Sequence, residues 1–196
     1  MYGKTVELTE NSGTNYLQPG IHKVFIKSLT VEQLTGNYNG AMAKVVVEDE
    51  NGLEASESIF PYQFSDKFMV WGTQKVTPAE QQEDDYLKKI KEIFSRAMPL
   101  DKDYDALTGV ATSFETLIQA LQPAVRANGG LYIWQLVKAD KNNYAKIAMH
   151  KGGSTQTFAE GEECRLKFDA EKFGKKEKTA EAVEVASSDE TDDLPF

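Results

Sequence analysis

The sequence has 196 residues, 22 Lys and Arg against 31 Asp and Glu, and a formal net charge of −9. That length fits one domain with appendages, or at most two small ones, and buries enough surface to fold without a disulfide or metal. The lone Cys164 excludes an internal disulfide and a multi-cysteine zinc site, and no run of 18 apolar residues is present to span a membrane.

Residues 20–29 alternate and predict a first strand. Val24, Ile26 and Ser28 face one way, and Phe25, Lys27 and Leu29 the other. Residues 35–40 read as a turn. Residues 41–48 predict a second strand, with Ala41, Ala43, Val45 and Val47 opposite Met42, Lys44, Val46 and Glu48. Glu50-Asn51-Gly52 closes a hairpin, because Asn-Gly supplies the positive φ of a tight turn. Residues 53–60 return, and an aromatic cluster, Phe60-Pro61-Tyr62-Gln63-Phe64, follows.

Thr77-Pro78-Ala79-Glu80 is a helix start, with Thr77 as N-cap, Pro78 in the first position and Glu80 completing a capping box. The stripe Tyr86, Ile90, Ile93, Ala97 continues it to Pro99. A second short helix is expected from Thr112, with Glu115 as its capping partner and Phe114, Leu117, Ile118 and Leu121 as its stripe. Residues 131–138 form the most apolar strand, 139–143 a polar turn, and 144–151 a returning strand. In that strand Ala145, Ile147 and Met149 face inward and Tyr144, Lys146 and Ala148 outward. Residues 158–168 hold a last extended segment. Three strands, a helical insert at about 77–125, then at least two strands suit a mainly β fold: a five-stranded barrel of the oligonucleotide-binding (OB) type, whose helix lies between strands three and four. A generic α+β sandwich shares this pattern. The folded body is expected over 1–173.

The catalytic constellations are missing. No Walker-type loop and no G-x-G-x-x-G follows a strand, and Gly129-Gly130 and Gly152-Gly153 read as turns. His22 and His150 lack a second His or Cys at ligand spacing, so no metal or other cofactor is expected. Glu48-Asp49-Glu50 sits at a hairpin tip. Glu83-Asp84-Asp85 sits in the first turns of a helix, where the dipole favours acids. A small metal-dependent nuclease built on these acids is an alternative; no enzyme is the expectation.

Binding single strands requires cations along a groove and aromatic faces for bases to stack on. Lys23, Phe25, Lys27 and Lys44 from the first hairpin offer these. So do Tyr132, Trp134, Lys138, Lys141, Tyr144, Lys146 and Lys151 from the last, together with Tyr62. Core packing competes with stacking as the role of Phe25 and Trp134. Tyr144 favours stacking, since its strand already has an apolar opposite face.

The charge is unevenly spread. Residues 179–196 hold six acids and no base, whereas 119–178 carry eleven bases against seven acids. From Gly174 onward the composition cannot bury enough apolar surface to fold, which predicts a disordered tail over 174–196. It ends in Ser188-Asp189-Glu190-Thr191-Asp192-Asp193-Leu194-Pro195-Phe196. This stretch resembles the acidic tip of bacterial single-stranded DNA-binding proteins, in which acids precede an apolar residue, Pro and Phe. Pro19-Gly20-Ile21-His22-Lys23-Val24 and Glu48-Asp49-Glu50-Asn51-Gly52 resemble stretches of the phage-encoded OB-fold binders of the same kind.

The resemblance implies a protein that coats single-stranded DNA without sequence preference and protects it. It also implies recruitment of replication, recombination or repair enzymes (polymerase, helicase, primase, recombinase or nuclease) through Asp189, Glu190, Asp192, Asp193, Leu194, Pro195 and Phe196. An aromatic anchor beside acids suits an apolar pocket with a basic rim. No membrane partner is expected, a homo-oligomer is compatible, and the location is cytoplasmic, in the host for a phage-encoded chain. The rivals are a ring-forming recombination mediator or annealing protein, and an acidic adaptor that mimics DNA.

Overall fold

A computed structural model describes residues 15–34, 40–63, 79–150 and 152–175. Six strands form one sheet: β1 (Gly20–Leu34), β2 (Gly40–Asp49), β3 (Glu54–Ile59), β4 (Ile133–Ala139), β5 (Ala145–Ile147) and β6 (Thr155–Thr157). Their order is β1-β2-β3-β5-β4-β6, and a further β1–β4 pairing joins the first strand to the fourth. The pairings therefore run in a ring through β1, β2, β3, β5 and β4, with β6 added outside β4. All are antiparallel except β3–β5, which is parallel and meets at a single register pair, Ser56 opposite Lys146. The fold is mainly β, with helices α1 (Ala79–Ala97), α2 (Tyr104–Thr108), α3 (Phe114–Ala120) and the single-turn α4 (Ala170–Phe173).

The ring rests on β1. Gly20–Val24 pair with β4, and Val24–Leu34 pair with β2. The register slips between Ile26 and Ser28, where a bulge leaves Lys27 unpaired. That extra residue reverses the alternation expected for this strand. Ser28 moves to the outer face, and Leu29 joins Val24 and Ile26 in the core at 5% exposure. The driving force is plain: without the slip, Leu29 would face water and a serine the core.

One contiguous core fills the ring. Val24, Ile26, Ala43, Val45, Val47, Ala55, Ile133, Val137 and Ile147 line it from the strands, and Ile90, Ile93, Phe94 and Ala97 of α1 pack into it as their spacing requires. Thr77 and Pro78 lie outside the described residues. The α3 cap is Ser113 rather than Thr112. Its hydroxyl accepts from Thr116 N–H at 3.2 Å and its own N–H donates to Thr116 Oγ1 at 2.9 Å, so threonine takes the place expected for Glu115 in the capping box. The Asp103-capped α2 was not anticipated. The last strand is Thr155–Thr157, and 158–168 carry no strand, which corrects the extended segment expected there. The return strand is confined to Ala145–Ile147.

Both glycine pairs are turns with structural work. Gly152 and Gly153 have φ of 77° and 113°. Their N–H groups donate to the Glu92 carboxylate at 3.4 and 3.1 Å, so a nearly buried acid of α1 holds the loop before β6. Gly130 sits where the helical insert rejoins β4, beside the bond from Leu131 N–H to Ala97 O at 2.8 Å. A Cβ at Gly130 would stand 2.1 Å from Ala124 O. Gly130→Ala is therefore expected to cost about 3 kcal/mol, as backbone has to shift to admit it. A urea-denaturation midpoint equal to that of the wild type would contradict this.

Candidate nucleic-acid interface

Residues opposite one another in neighbouring strands project to the same face. One outer-face row runs Ser28, Val46, Ser56, Lys146, Lys138 across β1, β2, β3, β5 and β4. In the next row Lys44 stands opposite Ser58. The two serines leave a low floor between cations. Two clefts open beside the Ser56–Lys146 pair. One, of about 590 Å³, is lined by Tyr16, Ser56, Tyr144, Lys146 and Lys175. The other, of about 390 Å³, is lined by Glu57, Ser58, Phe60, Tyr62, Lys89 and Lys138. Tyr16, Phe60 and Tyr144 are 62%, 52% and 68% exposed.

Each aromatic is held by its own backbone. Tyr16 pairs as an isolated bridge with Glu54. Leu17 N–H donates to Glu54 O at 2.8 Å and Glu54 N–H to Asn15 O at 2.9 Å, while Leu17 is buried. Tyr144 follows a turn in which Asp140 Oδ1 accepts from the N–H groups of Asn142 and Tyr144 at 2.8 and 2.9 Å and Asn143 adopts a positive φ of 65°. Phe60 is fixed through its carbonyl, which accepts from the Tyr86 hydroxyl at 2.6 Å. Tyr86 in turn packs against Tyr62, ring centroids 5.5 Å apart. Burial pushes the Tyr86 phenol up to about 12, so it stays a donor at neutral pH.

The cations here are available. Lys44, Lys138 and Lys146 form no ion pair among the described residues. Lys175 Nζ donates to Gln18 Oε1 at 2.7 Å, a neutral partner that leaves its charge uncompensated. Lys141 is exposed at the tip of the turn before Tyr144. His150, stacked on Phe173 at 5.8 Å, adds no charge at neutral pH: burial, then Lys138 and Lys172, push its imidazole below the usual range.

The remaining predicted residues gather elsewhere. Phe25 meets Tyr132 edge-on at 5.4 Å, and Phe158 meets Tyr132 and Trp134 at 6.4 and 5.6 Å. Lys23, cross-strand partner of Trp134, lies 4.3 Å over Phe158 and 4.9 Å over Tyr132, and pairs with Glu50 at 2.5 Å. Arg126 covers Tyr132 from 4.9 Å. These half-buried rings already spend their faces and edges on one another and on two cations. The Trp134 indole Nε1 is buried with no hydrogen-bond partner among the described residues. Lys27, at the bulge, bonds Glu48 and then Glu54, and these hold its ammonium above the usual range.

Lys151 and the whole tip (Asp189, Glu190, Asp192, Asp193, Leu194, Pro195, Phe196) lie outside the described residues. Sequence reasoning misses Tyr16, Lys89 and Lys175. A signal existed for Lys89, which follows Tyr86 by three residues and so shares its side of α1. Tyr16 and Lys175 carry no such pattern.

The acidic groups have local employment. Glu48 and Glu50 pair with Lys27 and Lys23. Asp49 Oδ1 accepts from Asn51 and Leu53 N–H at 2.9 and 2.8 Å and so holds the hairpin turn, and Asp84 pairs with Lys88. Among the described residues no three His, Cys, Asp or Glu converge to hold a metal, and no helix is long and apolar enough to cross a membrane. No protein family matches the chain, and comparison with curated proteins returns no match.

Tyr86 gives a pH test. Its folded-state pKa lies above the ordinary phenol value of 10.0. Its share of stability is therefore complete below pH 10 and lost as pH rises toward about 12. Tyr86→Phe is expected to cost about 1 kcal/mol at pH 7 through the bond to Phe60 O. It should also flatten the decline above pH 10, leaving the part due to Tyr104, which burial raises as well. An unchanged slope in urea titrations between pH 9 and 12 would refute the assignment.

Proposed function

We propose that this chain binds single-stranded DNA without strong sequence preference, that its five-strand ring is a barrel of the OB type, and that it is no catalyst. One observation carries the reading. The β3–β5 seam brings uncompensated cations (Lys44, Lys138, Lys146) together with exposed aromatic side chains (Tyr16, Phe60, Tyr144) over a floor of serines. Cations following a backbone and rings on which bases stack are the two components of sequence-tolerant single-strand binding. The ring order, with α1 between the third and fourth strands, supports the OB assignment, as that fold binds oligonucleotides across its second and third strands and the loop between the fourth and fifth. Lys141 and Tyr144 occupy that last loop.

The acidic stretch 179–196 completes the proposal. It docks replication or recombination enzymes through its Leu-Pro-Phe end, and its six negative charges compete with DNA for the cationic seam. Deleting 179–196 should therefore tighten oligonucleotide binding at low salt and make little difference at high salt. Identical affinities at low salt would exclude the competition.

The binding surface itself is tested by the anisotropy of a labelled oligo(dT). Trp134 is packed against Phe158 and Trp71 lies outside the described residues, so anisotropy is the more direct reporter of the seam. Affinity should fall linearly with salt on a log–log plot. Lys138→Ala with Lys146→Ala should reduce the slope by about 1.4, at roughly 0.7 per phosphate contact on single strands. Lys27→Ala, whose charge is compensated by two carboxylates, should leave the slope alone. Tyr144→Ala should cost about 1–3 kcal/mol of binding. Salt-independent binding, or a Lys27→Ala effect as large as that of the seam lysines, would defeat the proposal.

A further inference from the structure

Glu57 breaks the pattern of its strand. Ala55 and Ile59, two residues to either side, are buried in the core. Glu57 stands opposite Val45, itself a core residue, so its position belongs to the inner face of β3. A carboxylate there has to escape the core, and it does so by lining the 390 Å³ cleft between the end of β3 and the middle of α1. Its Oε1 accepts from Ser58 N–H at 3.1 Å. Its Oε2 accepts no hydrogen bond among the described residues.

The surroundings of this carboxylate define what it can meet. Ile90, Ile147, Met149, Phe60 and Tyr62 give the cleft mostly apolar walls, and Lys89 and Lys138 stand at its lining as the cations. Neither lysine pairs with Glu57. Among the described residues, Glu57 is the only acid lining this cleft. In the neighbouring cleft the single acid among the described residues, Asp140, is occupied with its turn. A phosphate would be repelled by Glu57, whereas a flat apolar group carrying an N–H donor would be held by it.

We infer that this cleft receives one nucleobase of the bound strand and that Glu57 Oε2 accepts a hydrogen bond from its amino group, so that cytosine and adenine are favoured there over thymine. The inference rests on the single-strand reading above and deepens it. Cytosine N4 and adenine N6 are donors, whereas thymine presents the O4 acceptor at the same edge. Phe60, which is 52% exposed, supplies a face for the inserted ring, and Lys89 and Lys138 take the flanking phosphates. The result is a several-fold bias laid over otherwise sequence-tolerant binding.

The test compares oligo(dC) and oligo(dT) of equal length on the full chain at one salt concentration. Differences in the intrinsic flexibility of the two strands cancel when the ratio of their affinities is compared between wild type and Glu57→Gln. The glutamine keeps an oxygen for Ser58 N–H and adds a donor that suits thymine O4. The expected result is a fall of about five-fold in the dC:dT affinity ratio, the size of one hydrogen bond. A second arm leaves the protein untouched: N4,N4-dimethylcytosine in the oligonucleotide removes the donor and should weaken binding to the wild type by a similar factor. Equal ratios in wild type and variant, or indifference to the dimethylated base, would overturn the role of Glu57 while leaving single-strand binding intact. Absence of binding to any oligonucleotide at low salt would instead overturn the binding reading, and this inference with it.

Discussion

The fold depends on one strand pairing twice. A closed ring needs a strand long enough to reach both of its neighbours, and β1 supplies fifteen residues, about 50 Å of extended chain. It gives its first part to β4 and the rest to β2. A strand shared in this way has to bend and twist between its two partners, and the bulge at Lys27 provides the extra residue at that point. Closure then satisfies the backbone groups that an open edge would expose to chance pairing.

Closure is least complete at the far side of the ring, and the candidate interface follows from that. β3 and β5 meet at one residue pair, and β3 takes its other contact on that side from the short stretch at Tyr16. With so little ladder, the seam is a shallow valley, and the side chains along it are Ser56 and Ser58 rather than large apolar groups. Charge divides along the same line. On the β1 side of the outer face, Glu48, Glu50 and Glu54 compensate Lys23 and Lys27. At the seam Lys138 and Lys146 stand side by side with no acid between them. Two lysines adjacent on a strand pair repel one another, an arrangement that a bound polyanion would relieve.

Alternation carried much of the fold into view. Ala43, Val45 and Val47 are buried as their spacing requires, and Ile90, Ile93 and Ala97 form the predicted inner stripe of α1. Alternation failed at Lys27 because a bulge adds a residue without leaving a sequence mark beyond the misplaced Leu29. The extended segment expected over 158–168 does not form, and Phe158 packs against Tyr132 and Trp134 rather than joining a strand. The site was harder to read. A list of lysines and aromatic residues holds Lys27 and Lys146 in equal standing. What separates them is which acids the register brings alongside, and register is a property of strand pairing. Tyr16 is invisible for the same reason: its position depends on Glu54, far along the chain.

The net charge of −9 is compatible with a polyanionic partner once distance is considered. Six of the negative charges belong to 179–196, and several acids on the body are committed to lysines or to turns. At physiological ionic strength a charge is felt over about 8 Å, so a strand lying in the seam responds to Lys44, Lys138, Lys146 and Lys175 far more than to acids across the molecule. Two acids line the clefts themselves: Asp140, whose carboxylate holds its own turn, and Glu57. On the proposed single-strand reading, a carboxylate at Glu57 would oppose the phosphates of the bound strand, and it sits at an inner-face position that an apolar residue would fill at lower cost. Both penalties are local and constant. On that same reading a compensating interaction would be local too, and a nucleobase amino group is the component of a single strand that would supply it.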